Sequence, residues 1–298
     1  MGYIRNWGGF MRIKLSVIIL NYNTVGLLKS CLSAVLASTG FEGKELEVIV
    51  VDNNSSDNSA EMVKKDFPDV KLIRNKKNLG FSTGNNVGIK NAGGKFLLLL
   101  NSDTLVEPNV LITVLKSMDN DRLIGAATCL LQTADGKIDP ASHRGFPTPW
   151  NSMSYFLGLE KLFPKTRFFG GYHQGWKNLK VPHEVDCISA AFMMVPEKVI
   201  NKVGLLDERF FMYGEDIDWC LRIKNAGFKI FFYPGVKTLH LKRQSGRESR
   251  TDQTAKKNAQ RQFVETMSQF YSKYYLLKYP GFVSRIVLSL LWIIKKII

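Results

Sequence analysis

The first half of the chain alternates short apolar runs with stretches in which apolar residues recur at helical spacing. The apolar runs predict strands at Leu15–Leu20, Leu46–Val51, Lys71–Arg74, Phe96–Leu100 and Gly125–Leu130. The stretches between them predict helices over Val25–Ser38, Ser59–Asp66, Ser82–Ala92 and Pro108–Met118. This alternation is typical of βαβ units, so we expect an α/β fold with a mostly parallel central sheet and flanking helices.

The second half of the chain is less regular. Residues 132–183 are rich in Pro, Gly and aromatic residues, which indicates loops and walls. The pattern then predicts a strand over Val185–Val195, a short helix over Pro196–Val203, a helix over Glu215–Ala226 and a strand over Lys229–Phe232. A polar, basic segment follows, and helical spacing returns from Gln260 to Leu277 before an apolar tail.

Length and charge limit the classes of protein. The 298 residues are 45% hydrophobic, and 41 Lys and Arg outweigh 26 Asp and Glu to give a formal net charge of +15. A chain of this size can bury a full core without disulfides. The four cysteines form no CxxC pair, so a zinc site or a secreted disulfide framework is not expected, and we predict a reducing, cytoplasmic location. The charge predicts an anionic partner: nucleic acid, a phosphorylated substrate or an acidic membrane.

No membrane-spanning or secretory segment is predicted. The N-terminal apolar run Val17–Leu20 is too short for the core of a signal peptide. The longest apolar stretch, Ile286–Ile294, is about half of the roughly 20 residues that a spanning helix needs.

Polar residues follow the first two predicted strands. Open parallel sheets bind ligands beyond the carboxyl ends of their strands, so these positions are candidates for a site. Asn21, Tyr22 and Asn23 follow the first strand, and Asp52 opens the sequence DNNSSD after the second. A turn with a helix cap accounts for DNNSSD equally well. In a nucleotide pocket, the Asp52 carboxylate would accept a hydrogen bond from a base while Tyr22 lies against the ring.

Two further segments resemble phosphate and metal sites. Asn78, Gly80, Asn85 and Asn86 lead into a helix, where main-chain donors favour phosphate, although a glycine-rich turn has the same composition. The buried strand Phe96–Leu100 ends in Asn101-Ser102-Asp103, and a carboxylate at a strand tip suits a divalent cation on a pyrophosphate. An Asp in an ordinary turn is the simpler alternative.

The sequence FFMYGEDIDW places acidic residues at the start of a helix. The helix macrodipole alone would favour Glu215, Asp216 and Asp218 there. The preceding residues are unusually apolar for a solvated loop, which predicts a shielded cleft that raises the basicity of a carboxylate for proton abstraction. His240 stands out because it joins a strand end to the basic segment.

Taken in order, SVIILNYN, VVDNNSSDNS, NLGFSTGNNVGI, LLLLNSD and FFMYGEDIDWCLRIKNAGF resemble the inverting family 2 glycosyltransferases of GT-A fold, in particular the rhamnosyltransferase-like branch. The resemblance runs from Leu15 to Ser245. It implies that Asp52 and Tyr22 contact the base, that Asp103 and His240 hold Mn²⁺ or Mg²⁺, and that Asp216 is the general base. Asn101 replaces the first acid of the family's DxD-type motif. The other residues expected at the donor are Asn23, Asn78, Gly80, Asn85, Asn86, Asn101, Ser102, Glu215, Lys242 and Arg243.

The resemblance predicts a GT-A domain over residues 12–245, with a nucleotide-sugar half at 12–131 and an acceptor and catalytic half at 132–245. The expected reaction is metal-dependent transfer of a sugar from dTDP-rhamnose to a saccharide, lipid-linked in many members of this branch, in cell-surface polysaccharide synthesis. A UDP- or GDP-sugar is the alternative donor, and a non-catalytic sugar-nucleotide binder is the alternative function. Nucleic acid becomes the least favoured partner, because no nucleic-acid-binding motif is present. The sequence makes no prediction of the oligomeric state.

The C-terminal segment, 246–298, is predicted to be a basic segment followed by an amphipathic helical tail. Lys273, Lys278, Arg285, Lys295 and Lys296 flank its apolar residues. Such a tail suits an interfacial helix on an anionic membrane, which would make the protein peripheral on the cytoplasmic face. A helix that packs on the domain is an equally good interpretation.

Overall fold

The computed structural model describes residues 13–241 and 253–298, with side chains from residue 257 in the second range. The strands are β1 Leu15–Asn21, β2 Leu46–Asp52, β3 Lys71–Arg74, β4 Phe96–Asn101, β5 Thr104–Val106, β6 Ile124–Thr133, β7 His183–Val185, β8 Phe192–Pro196 and β9 Lys229–His240. The helices are α1 Val25–Leu36, α2 Ser59–Asp66, α3 Gly80–Asn91, α4 Val110–Asn120, α5 Pro149–Phe156, α6 Leu159–Leu162, α7 Glu197–Val203, α8 Glu215–Asn225, α9 Gln253–Tyr274 and α10 Gly281–Ile297, with a 3₁₀ turn at Pro140–Ser142.

The strands form one sheet in the order β3-β2-β1-β4-β8-β6-β9-β5, and β7 also pairs with β9. The pairs β3-β2, β2-β1 and β1-β4 are parallel and in register, so that Asn21 lies opposite Asp52 and Leu20 lies opposite Asn101. β8 runs antiparallel to both β4 and β6, and β6 is parallel to β9. β1, β2, β3, β4, β6 and β9 therefore end at the same edge, where ligands are expected.

Both faces of the sheet are buried, because successive side chains of a strand point to opposite sides. In β4, Leu98 and Leu100 belong to the core that includes α1 and α4, whereas Leu97 and Leu99 belong to a second core under α8. This explains the continuous apolar sequence of β4. The second core includes Phe270, Tyr271 and Tyr275, so α9 is packed against the sheet domain.

The alternating strands and helices predicted for the first half are confirmed, with ends that differ by a few residues. The single strand predicted over Val185–Val195 is wrong. β7 pairs with β9, whereas β8 lies between β4 and β6, so the chain must leave one position in the sheet to reach the other. The strand predicted over Lys229–Phe232 continues to His240, and the three-residue β5 is too short for its pattern to show.

Within the described ranges, no helix is long and apolar enough to cross a membrane. The predicted division between residues 245 and 246 lies outside the described residues.

Candidate functional site

The β1 and β2 ends are joined around Asp52. Asp52 is fully buried, and its Oδ1 accepts a hydrogen bond from Asn21 Nδ2 at 3.3 Å while its Oδ2 accepts one from the Ser55 main-chain N–H at 3.1 Å. Asn21 Oδ1 in turn accepts from the Thr24 hydroxyl at 2.6 Å. These bonds fix the carboxylate at the strand end. Tyr22, the first residue after β1, is 48% exposed and available to a ligand.

Asn23 locks the loop after β1 to the loop after β2. It adopts a left-handed conformation with φ of 53°, which an asparagine tolerates better than most residues. Its Oδ1 accepts from the Ser56 N–H at 2.8 Å, and its own N–H donates to Ser55 Oγ at 3.0 Å. Thr24 Oγ1 lies 3.0 Å from Ser102 Oγ, which extends the same network to the end of β4.

The start of α3 is held by Asn53, a residue that the sequence analysis did not select. Its Nδ2 donates to Asn78 Oδ1 and to the Gly80 carbonyl, each at 3.1 Å, and its Oδ1 accepts from Asn75 Nδ2 at 2.8 Å. Asn78 Oδ1 also accepts from the Gly80 N–H at 2.9 Å. Gly80 has a φ of 79°, and a Cβ there would lie 2.5 Å from the Phe211 ring.

Asn85 and Asn86 are buried in α3 and are bound to protein groups. Asn85 Nδ2 donates to the Phe81 carbonyl of its own helix at 2.9 Å. Asn86 Nδ2 donates to the Leu206 carbonyl at 2.9 Å, and its Oδ1 accepts from the Leu206 N–H at 3.1 Å. These contacts give both residues a structural role, and their predicted contact with the donor stays a prediction.

α3 positions the loop before α8. The Phe81 N–H donates to the Phe211 carbonyl at 2.6 Å, and Ser82 Oγ donates to the Phe210 carbonyl at 2.6 Å. Glu215 and Asp216 follow this loop directly. They are thereby brought to the sheet edge that carries Asp52.

Asp103, His240 and Asp139 form a buried chain of contacts. β5 pairs with β9 so that Thr104 lies opposite His240, and Asp103 Oδ1 lies 3.2 Å from His240 Nε2. His240 Nδ1 lies 2.8 Å from Asp139 Oδ2. Burial disfavours the charged ring, but the hydrogen bonds and negative charges of the two aspartates outweigh it and raise the pKa of His240 to about 9.

The arrangement of Asp103, His240 and Asp139 fits a divalent cation. Two ligands of a six-coordinate Mg²⁺ or Mn²⁺ lie roughly 3 Å apart, which matches the separation of Asp103 Oδ1 and His240 Nε2. A metal-bound histidine usually donates its other ring N–H to a carboxylate, as the position of Asp139 allows. Among the described residues no group of three His, Cys, Asp or Glu is placed to hold a metal, so these two ligands would need oxygens of a bound pyrophosphate or water.

Asp216 is ion-paired with Arg144, a residue that the sequence analysis missed. Arg144 Nη2 donates to Asp216 Oδ2 at 2.6 Å, and each of the two side chains is only 11% exposed. Burial opposes the guanidinium charge, yet the carboxylate raises the pKa of Arg144 well above its usual range. Asp216 Oδ1 accepts from the Ile217 N–H at 2.8 Å.

Glu215 is the carboxyl whose pKa is raised in this cleft. Burial is the main cause and the negative charge of Asp216 adds to it, so that the pKa of Glu215 rises to about 8. Its Oε2 is buried and has no hydrogen-bond partner among the described residues. The sequence predicts a raised basicity for a carboxylate in this cleft, and the family resemblance implies that Asp216 is the base. The raised pKa in this cleft therefore belongs to Glu215.

Helix α9 holds the first turn of α8 in place. Asp218 is fully buried and receives hydrogen bonds from Arg222 Nε at 2.8 Å, from the Tyr274 hydroxyl at 2.6 Å and from the Lys273 ammonium. Thr266 packs so closely on Gly214 that a Cβ there would lie 2.5 Å from Thr266 Cγ2. Helix α9 therefore shapes the loop that carries Glu215 and Asp216.

Asp139 and Arg144 come from the irregular part of the chain. Asp139 caps the 3₁₀ turn through a 3.0 Å bond from the Ala141 N–H, and Arg144 exchanges main-chain hydrogen bonds with Cys187. An Asp before Pro140 signals a turn, but nothing in its spacing indicates a histidine partner about 100 residues away. Lys242 and Arg243 lie outside the described residues.

The chain matches the model of glycosyl transferase family 2 over residues 16–192. It is 26% identical over 244 residues to the N-acetylglucosaminyl-diphospho-decaprenol L-rhamnosyltransferase of Mycobacterium tuberculosis, covering 78% of this chain and 77% of the relative. It is 27% identical over 170 residues to the rhamnosyltransferase WbbL of Escherichia coli K12, covering 54% of this chain and 60% of the relative.

Solved structures resemble the fold. The mannosyltransferase PcManGT from Pyrobaculum calidifontis, in complex with GDP-Man and Mn²⁺, has a TM-score of 0.60 at 15% identity over 97% of this chain and 73% of its own. GalNAc-T7 with UDP, GalNAc and Mn²⁺ has a TM-score of 0.59 at 19% identity over 87% of this chain and 50% of its own. These likenesses confirm the predicted GT-A fold. The family match, which covers more than half of the residues, shows that this chain belongs to glycosyl transferase family 2 and is a glycosyltransferase.

Proposed function

We propose that the protein transfers L-rhamnose from dTDP-rhamnose, with inversion and with a divalent cation, to a lipid-linked saccharide of a cell-surface polymer. The observation that carries the reaction type is the arrangement at one sheet edge. Asp52 lies at the end of β2, Asp103 follows β4 and faces His240 at the end of β9, and α3 holds the loop that precedes Glu215 and Asp216. The rhamnosyltransferase names of the relatives support the choice of sugar, and the decaprenol-linked substrate in one name supports a lipid-linked acceptor.

Asp103 and His240 are the residues that would hold Mg²⁺ or Mn²⁺ on the donor. When bound, the cation neutralises charge on the departing nucleoside diphosphate. Asp139 keeps the His240 ring oriented through Nδ1, so that Nε2 faces Asp103. Tyr22 stacks on the base, while Asn23 and Ser102 hold the loops that enclose the diphosphate.

Asp216 takes the proton of the acceptor hydroxyl as that oxygen attacks the anomeric carbon and the bond from this carbon to the diphosphate oxygen breaks. Arg144 donates to Asp216 Oδ2 and so fixes the orientation of the carboxylate. Oδ1 already accepts one main-chain hydrogen bond, and its remaining lone pair receives the proton. Glu215, protonated at neutral pH, adds no second negative charge beside the base.

The decisive experiment replaces Asp216 with Asn. Removal of a general base costs about 10²–10⁴-fold in turnover, so we expect transfer from dTDP-rhamnose to fall in that range. Binding of dTDP in the presence of Mg²⁺ or Mn²⁺, measured by calorimetry, should stay close to that of the unaltered protein. Asp119→Asn on α4, where the carboxylate pairs with exposed Lys95, is the matched control. An Asp216→Asn variant with turnover equal to this control would contradict the assignment.

The choice of base and sugar has its own test. Thermal shift with dTDP, UDP and GDP at equal concentration, each with Mg²⁺ or Mn²⁺, should give the largest stabilisation with dTDP. At a given concentration, the ligand with the lowest Kd stabilises the folded state most. A larger shift with UDP or GDP would replace dTDP-rhamnose by the alternative donors and leave the assignment of Asp216 untouched.

A further inference from the structure

The last helix, α10, has one face that is already used by the fold. Ser284 is buried, with its Oγ 3.1 Å from the Tyr271 hydroxyl of α9. Val287 and Leu288 pack against the second core. Lys295 forms a 2.6 Å ion pair with Glu265 of α9. The interpretation of this tail as a packing helix is therefore correct for this inner face.

The opposite face of α10 is apolar and exposed. Its residues succeed one another at intervals of three or four and fall within an arc of about 80°, on the far side from Ser284. We call this set the outer stripe: Phe282, Ile286, Leu290, Ile293 and Ile297. The turn before the helix adds Leu277, which is 98% exposed. A row of large apolar side chains in water on one helix face marks an interaction surface.

The charged residues of α10 and of the turn before it are all basic. Residues 276–298 contain Lys278, Arg285, Lys295 and Lys296 and no Asp or Glu. At 100° per residue, Arg285 and Lys296 border the stripe on one side. The Lys296 ammonium lies 5.7 Å from the centre of the Trp292 ring, so a cation and an aromatic group are held together at the rim.

We propose that the outer stripe docks on the surface of an anionic lipid bilayer, with α10 lying in the plane of the interface. Apolar side chains enter the boundary between headgroups and acyl chains, while Arg285 and Lys296 meet anionic headgroups. The helix has 17 residues, and no described helix is long and apolar enough to cross the bilayer. The stripe runs along the whole length of α10, as an in-plane helix requires. This interaction does not depend on the transfer reaction.

A second copy of the chain fits this surface less well. A two-fold contact between identical stripes would bring the basic residues of one copy toward those of the other, because such an interface pairs a patch with itself. The region has no acidic residue to offset this repulsion. Anionic lipid supplies the opposite charge along the whole stripe.

The test uses the full chain and vesicles of phosphatidylcholine with and without phosphatidylglycerol, separated by flotation. We expect the protein to float with the anionic vesicles and to be released by high salt, because the headgroup attraction is screened. Ile286→Glu with Leu290→Glu should reduce the bound fraction about tenfold or more, since two charges then enter the apolar layer. Arg285→Gln with Lys296→Gln should give a smaller loss, confined to anionic vesicles.

Leu123→Glu is the matched control. Leu123 is 54% exposed, as is Leu290, but it precedes β6, far along the chain from α10. It should leave flotation unchanged. The proposal is overturned if the unaltered protein does not float with anionic vesicles, or if the control loses binding equally. It is also overturned if gel filtration shows a dimer that the Ile286→Glu and Leu290→Glu pair converts to monomer while flotation is unaffected. Loss of transfer activity has no bearing on these outcomes.

Discussion

The proposed donor half of the site, around Asp52, and the proposed catalytic half, around Asp216, are built by different means. Around Asp52, the loops after β1, β2 and β3 are joined by short hydrogen bonds among Asn, Ser and Thr, and the acid receives neutral donors. Around Asp216, the contacts are between buried charges that are distant in sequence, with Arg144 on one side. The proposed catalytic half also contains Glu215 Oε2 and Arg144 Nε, both of which are buried and find no hydrogen-bond partner in the part of the chain that the structure describes.

This difference indicates that the region around Asp216 is less favourable to the stability of the fold than the region around Asp52. The neutral hydrogen bonds around Asp52 satisfy its buried carboxylate and the side chains beside it at little cost. Buried charges are costly unless they are paired, and unpartnered buried polar atoms are rare in folded proteins. We infer that Glu215 Oε2 and Arg144 Nε are available to form hydrogen bonds with a bound acceptor or donor.

Arg144→Met should have the largest effect. It leaves the Asp216 carboxylate buried without its cation, and breaking a buried pair in this way costs about 3–5 kcal/mol in the free energy of unfolding. Urea unfolding measures the loss, and adding Asp216→Asn should recover most of it. Lys95→Met, which breaks the exposed pair with Asp119, should cost less than about 1 kcal/mol. Equal losses for the two methionine variants would remove the distinction between the halves.

Gly80→Ala should have the next largest effect and tests the donor half. Gly80 and Gly136 both have a φ of 79°, but a Cβ at Gly80 meets the Phe211 ring and carbonyl, whereas at Gly136 its nearest neighbour is Gln132 Nε2 at 3.9 Å. The left-handed conformation costs both variants about 1–2 kcal/mol. Overpacking should cost Gly80→Ala a further 1–3 kcal/mol, roughly, in urea unfolding. A difference near zero would show that the loop before α8 moves freely.

Asp139→Asn should weaken metal binding by about 10–100-fold, the usual result of removing a carboxylate that orients a histidine ligand. Titration of Mn²⁺ into the protein with dTDP measures the affinity. Asp135→Asn, in the exposed turn after β6, is the control. If the affinity of the Asp139→Asn variant equals that of the control, His240 is not a metal ligand oriented by Asp139.

The smallest effect is a pH dependence caused by Glu215. Its pKa rises on folding from 4.5 to about 8, so the folded state binds the proton more tightly than the unfolded chain does. The stability due to this group is present below about pH 4.5 and is lost as the pH rises through about 8. Glu215→Gln should therefore show a smaller fall in unfolding free energy between pH 5 and pH 8 than the unaltered protein, by at most about 1.4 kcal/mol per pH unit. Parallel curves would place the pKa near its ordinary value.

The sequence predicts which polar residues meet at the carboxyl edge of the sheet, because these residues follow directly on regular strands, whereas their contacts with a donor stay predictions. Asp52 and Asp103 each come after an apolar run, and parallel pairing carries both to one edge. Arg144 and Asp139 could not be found in this way. They lie in a segment without periodicity, and their partners are 72 and 101 residues away.

The C-terminal helix α10 also has contacts that the sequence pattern does not predict. Its composition indicates two uses, packing and interfacial binding, and only the position of Ser284 beside Tyr271 shows which side of the helix faces the core. The roles of Lys242 and Arg243 stay predictions, since those residues are outside the described ranges.

The contacts of Asp218 also set an order of events during synthesis. Its partners Lys273 and Tyr274 lie 55 and 56 residues further along the chain, so they leave the ribosome after α8 has been made. Domains tend to form from the N-terminus during translation, and the βαβ half can assemble first. Helix α8 gains its full set of charge partners only when the end of α9 has emerged. In a nascent chain the loops around Asp52 can therefore form before α8 has all of its charge partners.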